Sequence, residues 1–346
     1  MDIGSALKIR KNKEETEEDR ALALERAEEV HDESLVIDSH VGTLFDVFHE
    51  RKRIDDETSE GHVNLARLRK GGVRCAIMGA FPPDRTYPLR GVRSGLEYID
   101  AFQALGDVDG VRLALYASDI EEAADKDEIA FMLGLDGGEF LDGSVGSLRM
   151  FYRLGVRVLA LTWNERNLLA DGAAESVTRG GLTHFGREVV AECGKLGIVV
   201  DAAHLSEAGF YDLVETSENP FIVSHANCHM LYAHPRNLTN DQLRALKDTG
   251  SVVGISVNPA YLGTYEGSGL DRVCEHIEHA VEVAGPEHVA LGTDFDGFTG
   301  PGPQPLEDPS HLGLLTQRLL ARGTSGRVIT GVLGGNVFRV LRAVIA

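Results

Sequence analysis

The stretch GIVVDAAHLSEAGFYDLVETSENPFIVSH, residues 197–225, contains two short apolar runs that each end in a histidine. The runs, residues 197–204 and 220–225, are almost continuously apolar, which is typical of parallel strands buried on both faces. The segment between them is compatible with a helix. A strand, a helix and a second parallel strand form one βαβ unit, whose strands end at the same edge of the sheet. The stretch therefore predicts that His204 and His225 lie close together.

Runs of this kind recur along the chain, and each is followed by a helix-compatible segment. The eight predicted strands are residues 35–40, 73–81, 131–137, 156–163, 197–204, 220–225, 250–257 and 288–295. The predicted helices are residues 90–105, 118–128, 145–154, 183–196, 206–216, 239–249, 270–284 and 331–345. This alternation predicts an α/β fold, a (β/α)8 or TIM barrel, rather than an open sheet. We expect one barrel domain over residues 35–346, preceded by a charged N-terminal helical arm over residues 1–34.

Composition narrows the class of protein. The chain has 346 residues, of which 43% are apolar and 25% are charged, as in an ordinary globular protein. Its net charge of −20 repels phosphate backbones and anionic lipids, so neither nucleic acid nor a membrane is an expected partner. The first 30 residues show no secretory pattern, and the four cysteines form no CxxC pair. We therefore expect a cytoplasmic protein without a disulfide framework.

Five acidic or imidazole side chains stand at the carboxyl ends of predicted strands: His40, Asp136, His204, His225 and Asp294. A parallel barrel brings these ends together at one mouth. Imidazole nitrogen and carboxylate oxygen are ligands of zinc and similar divalent ions, and such an ion makes water a usable nucleophile near neutral pH. The Pro- and Gly-rich segment 298–311 follows the last strand and is expected to cover this mouth.

Each of these five residues, taken alone, is more often a helix N-cap, a turn former or a satisfied polar group than a ligand. Their joint occurrence at matching strand ends favours a metal site. Asp38 and Asp201, which precede two of the histidines, are expected to be buried acceptors that orient ring nitrogens or loop amides. Asp46 and Glu139 are near enough in sequence to be ligands but are expected on a loop or helix surface.

Taken in order, six stretches of the sequence resemble the membrane dipeptidase family, also called peptidase family M19, of the amidohydrolase superfamily. The stretches are VIDSH, GLTHFGREVV, GIVVDAAHLS, IVSHANCHMLYAHPRNLT, HVALGTDFDG and VLGGNVFRVL. The resemblance runs from about Leu35 to Ala346. It implies a (β/α)8 barrel that holds two zinc ions, hydrolyses dipeptides and forms a homodimer. It also implies that His204, His225 and Asp294 are site residues and that Arg236 binds the substrate carboxylate, for which a planar guanidinium is well suited.

Three positions depart from the family pattern. The first strand of the family ends in His-x-Asp, whereas here Gly42 follows His40 by two residues and offers no ligand. The bridging glutamate of the family is replaced by the shorter Asp136, and a substrate-contacting histidine by Trp163, the only tryptophan of the chain. For Trp163, packing in the mouth and contact with substrate are equally open. We expect one or two zinc ions, with the second site weakened by Gly42.

These observations lead to three hypotheses of function. The first is a zinc-dependent, dipeptidase-like hydrolase of a dipeptide or related small amide with a free carboxylate, in which Asp294 carries the proton to the leaving nitrogen. The second is an enzyme with a single metal ion and a specialised substrate, such as one from a biosynthetic pathway. The third is a non-catalytic binding protein on the same fold. Metal content distinguishes the three hypotheses. The first predicts two equivalents of metal, the second about one and the third none.

Overall fold

A nine-stranded, entirely parallel sheet forms the centre of the molecule. The computed structural model describes residues 17–82, 90–263 and 269–345. The strands are β1 (Val36–Val41), β2 (Val73–Ala80), β3 (Val111–Leu113), β4 (Ile129–Leu135), β5 (Val156–Ala160), β6 (Val199–Asp201), β7 (Ile222–Ala226), β8 (Val252–Ile255) and β9 (Val289–Leu291). Their order is β1-β2-β4-β5-β6-β7-β8-β9, and β3 pairs with β4 outside this path.

The sheet is a nearly closed barrel, which confirms the predicted (β/α)8 fold. The first and last strands meet at a parallel bridge between Val41 and Phe295. Two backbone hydrogen bonds join them there, from Gly42 N to Phe295 O at 2.8 Å and from Asp294 N to His40 O at 3.1 Å. All eight predicted strands are present, and in the described part of the chain only the three-residue β3 was not predicted. We refer to the junction between β1 and β9 as the seam.

Helices surround the barrel, and their bounds are α1 (Glu17–Asp32), α2 (Leu44–Phe48), α3 (Leu65–Lys70), α4 (Gly91–Ala104), α5 (Ala117–Asp125), α6 (Val145–Arg153), α7 (His184–Leu196), α8 (Glu207–Thr216), α9 (Asn240–Thr249), α10 (Pro259–Leu262), α11 (Gly269–Ala284), α12 (Leu312–Ala321), α13 (Gly326–Thr330) and α14 (Asn336–Val344). Several begin at a hydroxyl cap: Thr183, Ser206 and Thr239 accept from backbone amides of α7, α8 and α9. Such caps, read with the apolar spacing, explain why the predicted bounds of these three helices are close to the observed ones. The C-terminal helix starts later than predicted, because an irregular turn occupies residues 331–335.

The described part of the predicted arm packs on the barrel. In α1, Ala27 is buried, and the buried His31 ring contacts Thr316 Oγ1 at 2.9 Å and Gly71 O at 3.0 Å. Leu22 on the same helix is 66% exposed. Residues 1–16 of the arm lie outside the described residues, and the division of the chain at residue 34 stays a prediction. Within the described ranges, no helix has both the length and the apolarity needed to span a bilayer.

The barrel interior is filled from its amino-terminal end. Side chains of most strands, including Ile37, Met132 and Ile222, form one buried cluster with Val337 and Leu341 of α14. Since this end is closed by apolar packing, the polar residues at the opposite, carboxyl end are the ones that face a mouth.

Candidate metal centre

The five predicted ligands lie together and are buried at the carboxyl end of the barrel. His40 Nε2 lies 2.9 Å from Asp136 Oδ2, and His40 Nδ1 lies 3.4 Å from Asp294 Oδ1. On the neighbouring strands, His204 Nε2 lies 2.9 Å from His225 Nε2. The rings of His40 and His225 are also close, with centroids 4.0 Å apart. The strand-end pattern thus identified groups that converge in space.

Hydrogen bonds determine which ring nitrogen of His204 and His225 carries the proton. His204 Nδ1 lies 2.8 Å from Asn164 Oδ1, an acceptor. His225 Nδ1 lies 2.8 Å from Ser224 Oγ, and this hydroxyl donates to Asp201 Oδ2 at 2.5 Å, so it accepts from the imidazole. Both rings therefore hold their proton on Nδ1 and present an Nε2 lone pair.

Two lone pairs that face each other at 2.9 Å repel unless a cation accepts them. A proton is disfavoured, because burial and the nearby charges of Arg236 and His40 hold the pKa values of both His204 and His225 well below the ordinary value. Neutral imidazoles with carboxylates alongside are the donor set of zinc and similar ions. The residues present therefore fit a divalent metal ion.

A second convergence involves His40. One ligand atom each from His40, His225 and Asp294 lies within 4.8 Å of the others. His40 Nδ1 is buried and, among the described residues, has no hydrogen-bond partner. Burial opposes protonation of this ring, but the carboxylates of Asp136 and Asp294 outweigh it and raise the pKa of His40 well above the ordinary value. The same electron-rich surroundings that attract a proton here also suit a metal cation.

Asp294 is held in a fixed orientation. Asn258, from the loop after β8, donates its amide Nδ2 to Asp294 Oδ2 at 2.7 Å, which leaves Oδ1 on the side of His40. The backbone of Asp294 has φ 63° and that of His204 has φ 67°. Left-handed backbone is unfavourable for residues with a side chain, and at a site it indicates that the surroundings impose the geometry.

Asp38 and Asp201 are buried acceptors, as predicted. Asp38 accepts from the backbone amides of His40 and Thr293, at 3.2 and 2.8 Å, and so connects the first and last strands. Burial raises the pKa of Asp38 to about 6. Asp201 accepts two hydrogen bonds from Ser224, one from its backbone amide at 2.9 Å and one from its hydroxyl. Asp38 thus supports the seam, and Asp201 orients the ring of His225 through Ser224.

Gly42 is a position without room for a side chain. A Cβ built there would lie 2.7 Å from Gly297 N and 2.8 Å from the carbonyl carbon of Asp296. That backbone is anchored, since the buried Asp296 carboxylate accepts from Lys52 Nζ at 2.7 Å and Thr43 Oγ1 at 2.8 Å. The loop after β9 therefore occupies the space that an aspartate at position 42 would need.

A cavity of about 1210 Å³, hereafter the mouth cavity, opens above the cluster. Three of the predicted ligands, His204, His225 and Asp294, line it. The other lining residues are Phe45, Asp46, Arg51, Glu60, Gly61, His62, Arg67, Phe81, Pro82, Glu139, Trp163, Asn164, Glu165, Tyr261, Asp296, Gly297, Phe298, Thr299, Gly300, Pro301, Glu307 and Asp308. The segment 298–311 contributes to the wall, as predicted. Asp46 and Glu139, expected on a loop or helix surface, belong to short helices and line the cavity as well.

The two predicted substrate-binding residues occupy different places. Trp163 lines the mouth cavity, with its ring centroid 6.2 Å from that of His204. The buried Arg236 donates from Nη2 to His225 O at 3.1 Å and lines a neighbouring cavity of about 720 Å³. Its guanidinium lies 5.4 Å from the ring centroid of Tyr261, which lines the mouth cavity. Arg236 is therefore adjacent to the site, at a neighbouring cavity rather than in the lining of the mouth cavity.

Sequence reasoning missed several residues on which the site depends. Asn164 and Asn258 both follow predicted strands, so the rule applied to His and Asp would have found them had amides been included. Gly79 on β2 gives no such signal. A Cβ at this glycine would lie 2.1 Å from Asp136 Oδ2 and 2.7 Å from His40 Nε2, so only glycine leaves space for that pair.

A parallel barrel with a buried histidine and carboxylate cluster at its carboxyl end defines the amidohydrolase fold class. A Pseudomonas aeruginosa amidohydrolase of known structure is 25% identical, with a TM-score of 0.79 over 92% of this chain and 99% of that one. A Rhodobacter sphaeroides metallopeptidase, solved with a phosphinate mimic of the dipeptide L-Ala-D-Ala, shares the fold at 22% identity, with a TM-score of 0.81 over 90% of this chain and all of that one.

Within this class, the chain belongs to the membrane dipeptidase family, peptidase family M19, whose model matches residues 24–346. Mouse Dipeptidase 3 is 33% identical over 292 residues, which are 83% of this chain. The match covers 58% of the mouse protein, so the chain spans less than two thirds of this relative's length. The resemblance inferred from six sequence stretches is confirmed at the level of the family.

Proposed function

We propose that this chain is a zinc-dependent hydrolase that cleaves dipeptides or related small amides with a free carboxylate. The observation that carries the proposal is the pair of Nε2 lone pairs of His204 and His225, which face each other at 2.9 Å in the floor of an open cavity. Family membership supports the reaction class, and the dipeptide mimic bound to the Rhodobacter sphaeroides relative supports a small-molecule substrate.

Five residues would hold one or two metal ions: His40, Asp136, His204, His225 and Asp294. When bound, a divalent ion supplies polarisation of a substrate carbonyl and a lowered pKa for water, which amide hydrolysis requires. Zinc is favoured because nitrogen-rich sites with a carboxylate and an open position are typical of catalytic zinc. Three of these residues line the mouth cavity, so a substrate in that cavity would reach the groups that hold the metal.

The protein's own groups perform the remaining steps. Asp294 is proposed to receive a proton and deliver it to the leaving nitrogen, because Asn258 occupies its Oδ2 and leaves Oδ1 toward the cluster. Arg236 is proposed to bind the substrate carboxylate. Its Nε is buried without a hydrogen-bond partner in the described part of the chain, so the guanidinium retains a free N–H for an anion.

The test is hydrolysis by protein that has been stripped with a chelator and reloaded with Zn²⁺, Co²⁺ or Mn²⁺. We expect amino acids to be released from a dipeptide panel only by reloaded protein. His204→Ala should abolish both metal retention and turnover, whereas His279→Ala, on the outer helix α11, should change neither. Absence of turnover at every metal loading, in protein whose circular dichroism shows an intact fold, would refute the proposal.

A second candidate function, one metal ion with a specialised substrate, is favoured by the lack of space at Gly42. Elemental analysis of the loaded protein separates the candidates. Two equivalents support the first, about one supports the second, and none supports a non-catalytic binding protein.

We also propose a homodimer in the cytoplasm. The four cysteines are free and buried, in agreement with a reducing compartment. Light scattering coupled to size exclusion tests the oligomeric state, and a monomeric mass would contradict the dimer. Cell fractionation tests the location.

A further inference from the structure

Aromatic side chains are concentrated in the mouth cavity. Five of its 25 lining residues are aromatic, against 6% in the whole chain: Phe45, Phe81, Trp163, Tyr261 and Phe298. They come from loops and short helices that follow different strands, so the rings are distributed around the cavity. Aromatic rings left partly open beside a polar metal cluster are more typical of a ligand site than of a core.

Trp163 lies beside the histidine pair. Its centroid lies 6.2 Å from that of His204, and the residue is 36% exposed. Tryptophan has no titratable proton, so it cannot replace a histidine in acid or base chemistry. What it offers instead is a large apolar face and one indole donor, both of which act in binding.

Three other rings of the cavity are packed against neighbouring rings. Phe298 packs on His62 with centroids 4.6 Å apart, and His62 is in turn fixed by hydrogen bonds to Gly300 O at 2.7 Å and from Asp296 N at 2.9 Å. Phe45 and Phe81 meet edge to face, with centroids 5.7 Å apart. Because these rings are already positioned, little side-chain freedom is lost when a further ring packs against them.

The volume of the cavity also fits a large substrate. At about 1210 Å³ it exceeds the roughly 300–1,000 Å³ of common small-molecule sites, so two small residues would leave much of it empty. A planar aromatic side chain can occupy this space and make offset or edge contacts with the existing rings.

We propose that the mouth cavity selects dipeptides that carry an aromatic side chain, and that Trp163 determines this specificity. The proposal rests on the hydrolase function proposed above and names the substrate class of that site. Each favourable ring contact corresponds to a few-fold gain in kcat/KM, so several together give about tenfold or more.

The experiment compares Ala-Phe and Phe-Ala with Ala-Leu, Leu-Ala and Ala-Ala on zinc-loaded protein. We expect kcat/KM for the better phenylalanine peptide to exceed that for its leucine counterpart at least tenfold. Trp163→Ala should remove the preference mainly through KM, Trp163→Phe should retain much of it, and Tyr116→Ala, an exposed aromatic outside the cavity, should leave it unchanged.

Binding can be measured without turnover, because Trp163 is the only tryptophan and its fluorescence reports on this position alone. Titration of Asp294→Asn protein with the phenylalanine peptides should change the emission at lower concentrations than the leucine peptides. Equal kcat/KM for both classes in wild type would overturn the specificity and leave the hydrolase function standing. If no dipeptide is cleaved, the hydrolase proposal fails, and a fluorescence response that is equal for both classes or absent overturns the specificity as well.

Discussion

Replacing Gly42 by aspartate would restore the family pattern in sequence, yet we expect it to damage the protein. The Cβ of any side chain at this position would lie 2.7 Å from Gly297 N, whereas ordinary contact begins at 3.4 Å. The backbone must therefore separate by about 0.7 Å. It does so at the seam, because Gly42 N itself donates to Phe295 O at 2.8 Å.

The loss of stability can be estimated from other substitutions that insert extra atoms into a well-packed region, which cost about 1–3 kcal/mol. Gly42→Ala introduces the Cβ alone and should lower the free energy of unfolding by about that amount. Gly42→Asp adds a carboxylate beside the buried, ionised Asp296. Burial alone would raise the pKa of Asp296, but its contacts with His62 and Lys52 outweigh burial and lower the pKa to about 2. A second anion there has no cation of its own, so the aspartate variant should be the less stable of the two.

The assay is urea denaturation of chelator-treated protein, followed by elemental analysis after reloading with zinc. Wild type and both variants are compared at the same pH and protein concentration. We expect both variants to lose stability and neither to gain a metal equivalent. An aspartate variant as stable as wild type that binds one more zinc ion would show that position 42 is open, and the steric argument would be wrong.

Three further predictions concern the supports of the site and the packing around it. Gly79→Ala should weaken zinc affinity about 10–100-fold, because its Cβ would displace the Asp136 carboxylate, and calorimetric titration measures this. Asn258→Ala should reduce kcat more than it changes KM, because Asp294 loses the donor that orients it. Burial lowers the pKa of His276 from 6.5 to about 4, so unfolded protein takes up this proton first as pH falls. As pH falls from 6.5 to 4, this residue should therefore lower the free energy of unfolding by about 3 kcal/mol. A His276→Gln variant should lack that part of the decrease.

Each of these outcomes can be contradicted. Unchanged zinc affinity in Gly79→Ala would mean that the cluster relaxes around the new methyl group. For Asn258, the matched variant Asn258→Asp keeps the shape but loses the amide donor, and wild-type kcat in both variants would show that Asp294 needs no partner. An acid profile of His276→Gln identical to that of wild type would mean that this ring is protonated in the folded protein.

The sequence was sufficient to predict the barrel because its strands carry a local signal. Continuous apolar runs are buried on both faces, and their number and alternation with helices leave few alternatives. The short strand β3, residues VRL, carries too little apolar character to be recognised, and two of its three residues are only half-buried. Where a strand is only partly buried, its sequence pattern no longer identifies it.

The residues that converge at the site could be predicted from the sequence, whereas the geometry around them could not. His40 and Asp294 lie 254 positions apart, and only closure of the barrel brings them together. Residue types reveal neither the left-handed backbone at Asp294 nor the space that Gly79 leaves free, since both depend on contacts between distant segments. The blocked position at Gly42 is of the same kind: the missing ligand is visible in the sequence, but the cause, the path of the loop after β9, is visible only in three dimensions.

The seam between β1 and β9 has a thermodynamic consequence. His40 stands on one side of it and Asp294 on the other, while Asp38 spans it through Thr293. An ion held by both His40 and Asp294 would join the beginning of the barrel to its end. Metal binding and closure of the barrel would then be linked equilibria. A change that favours one would favour the other by the same free energy. A bound metal ion would therefore also stabilise the closed barrel.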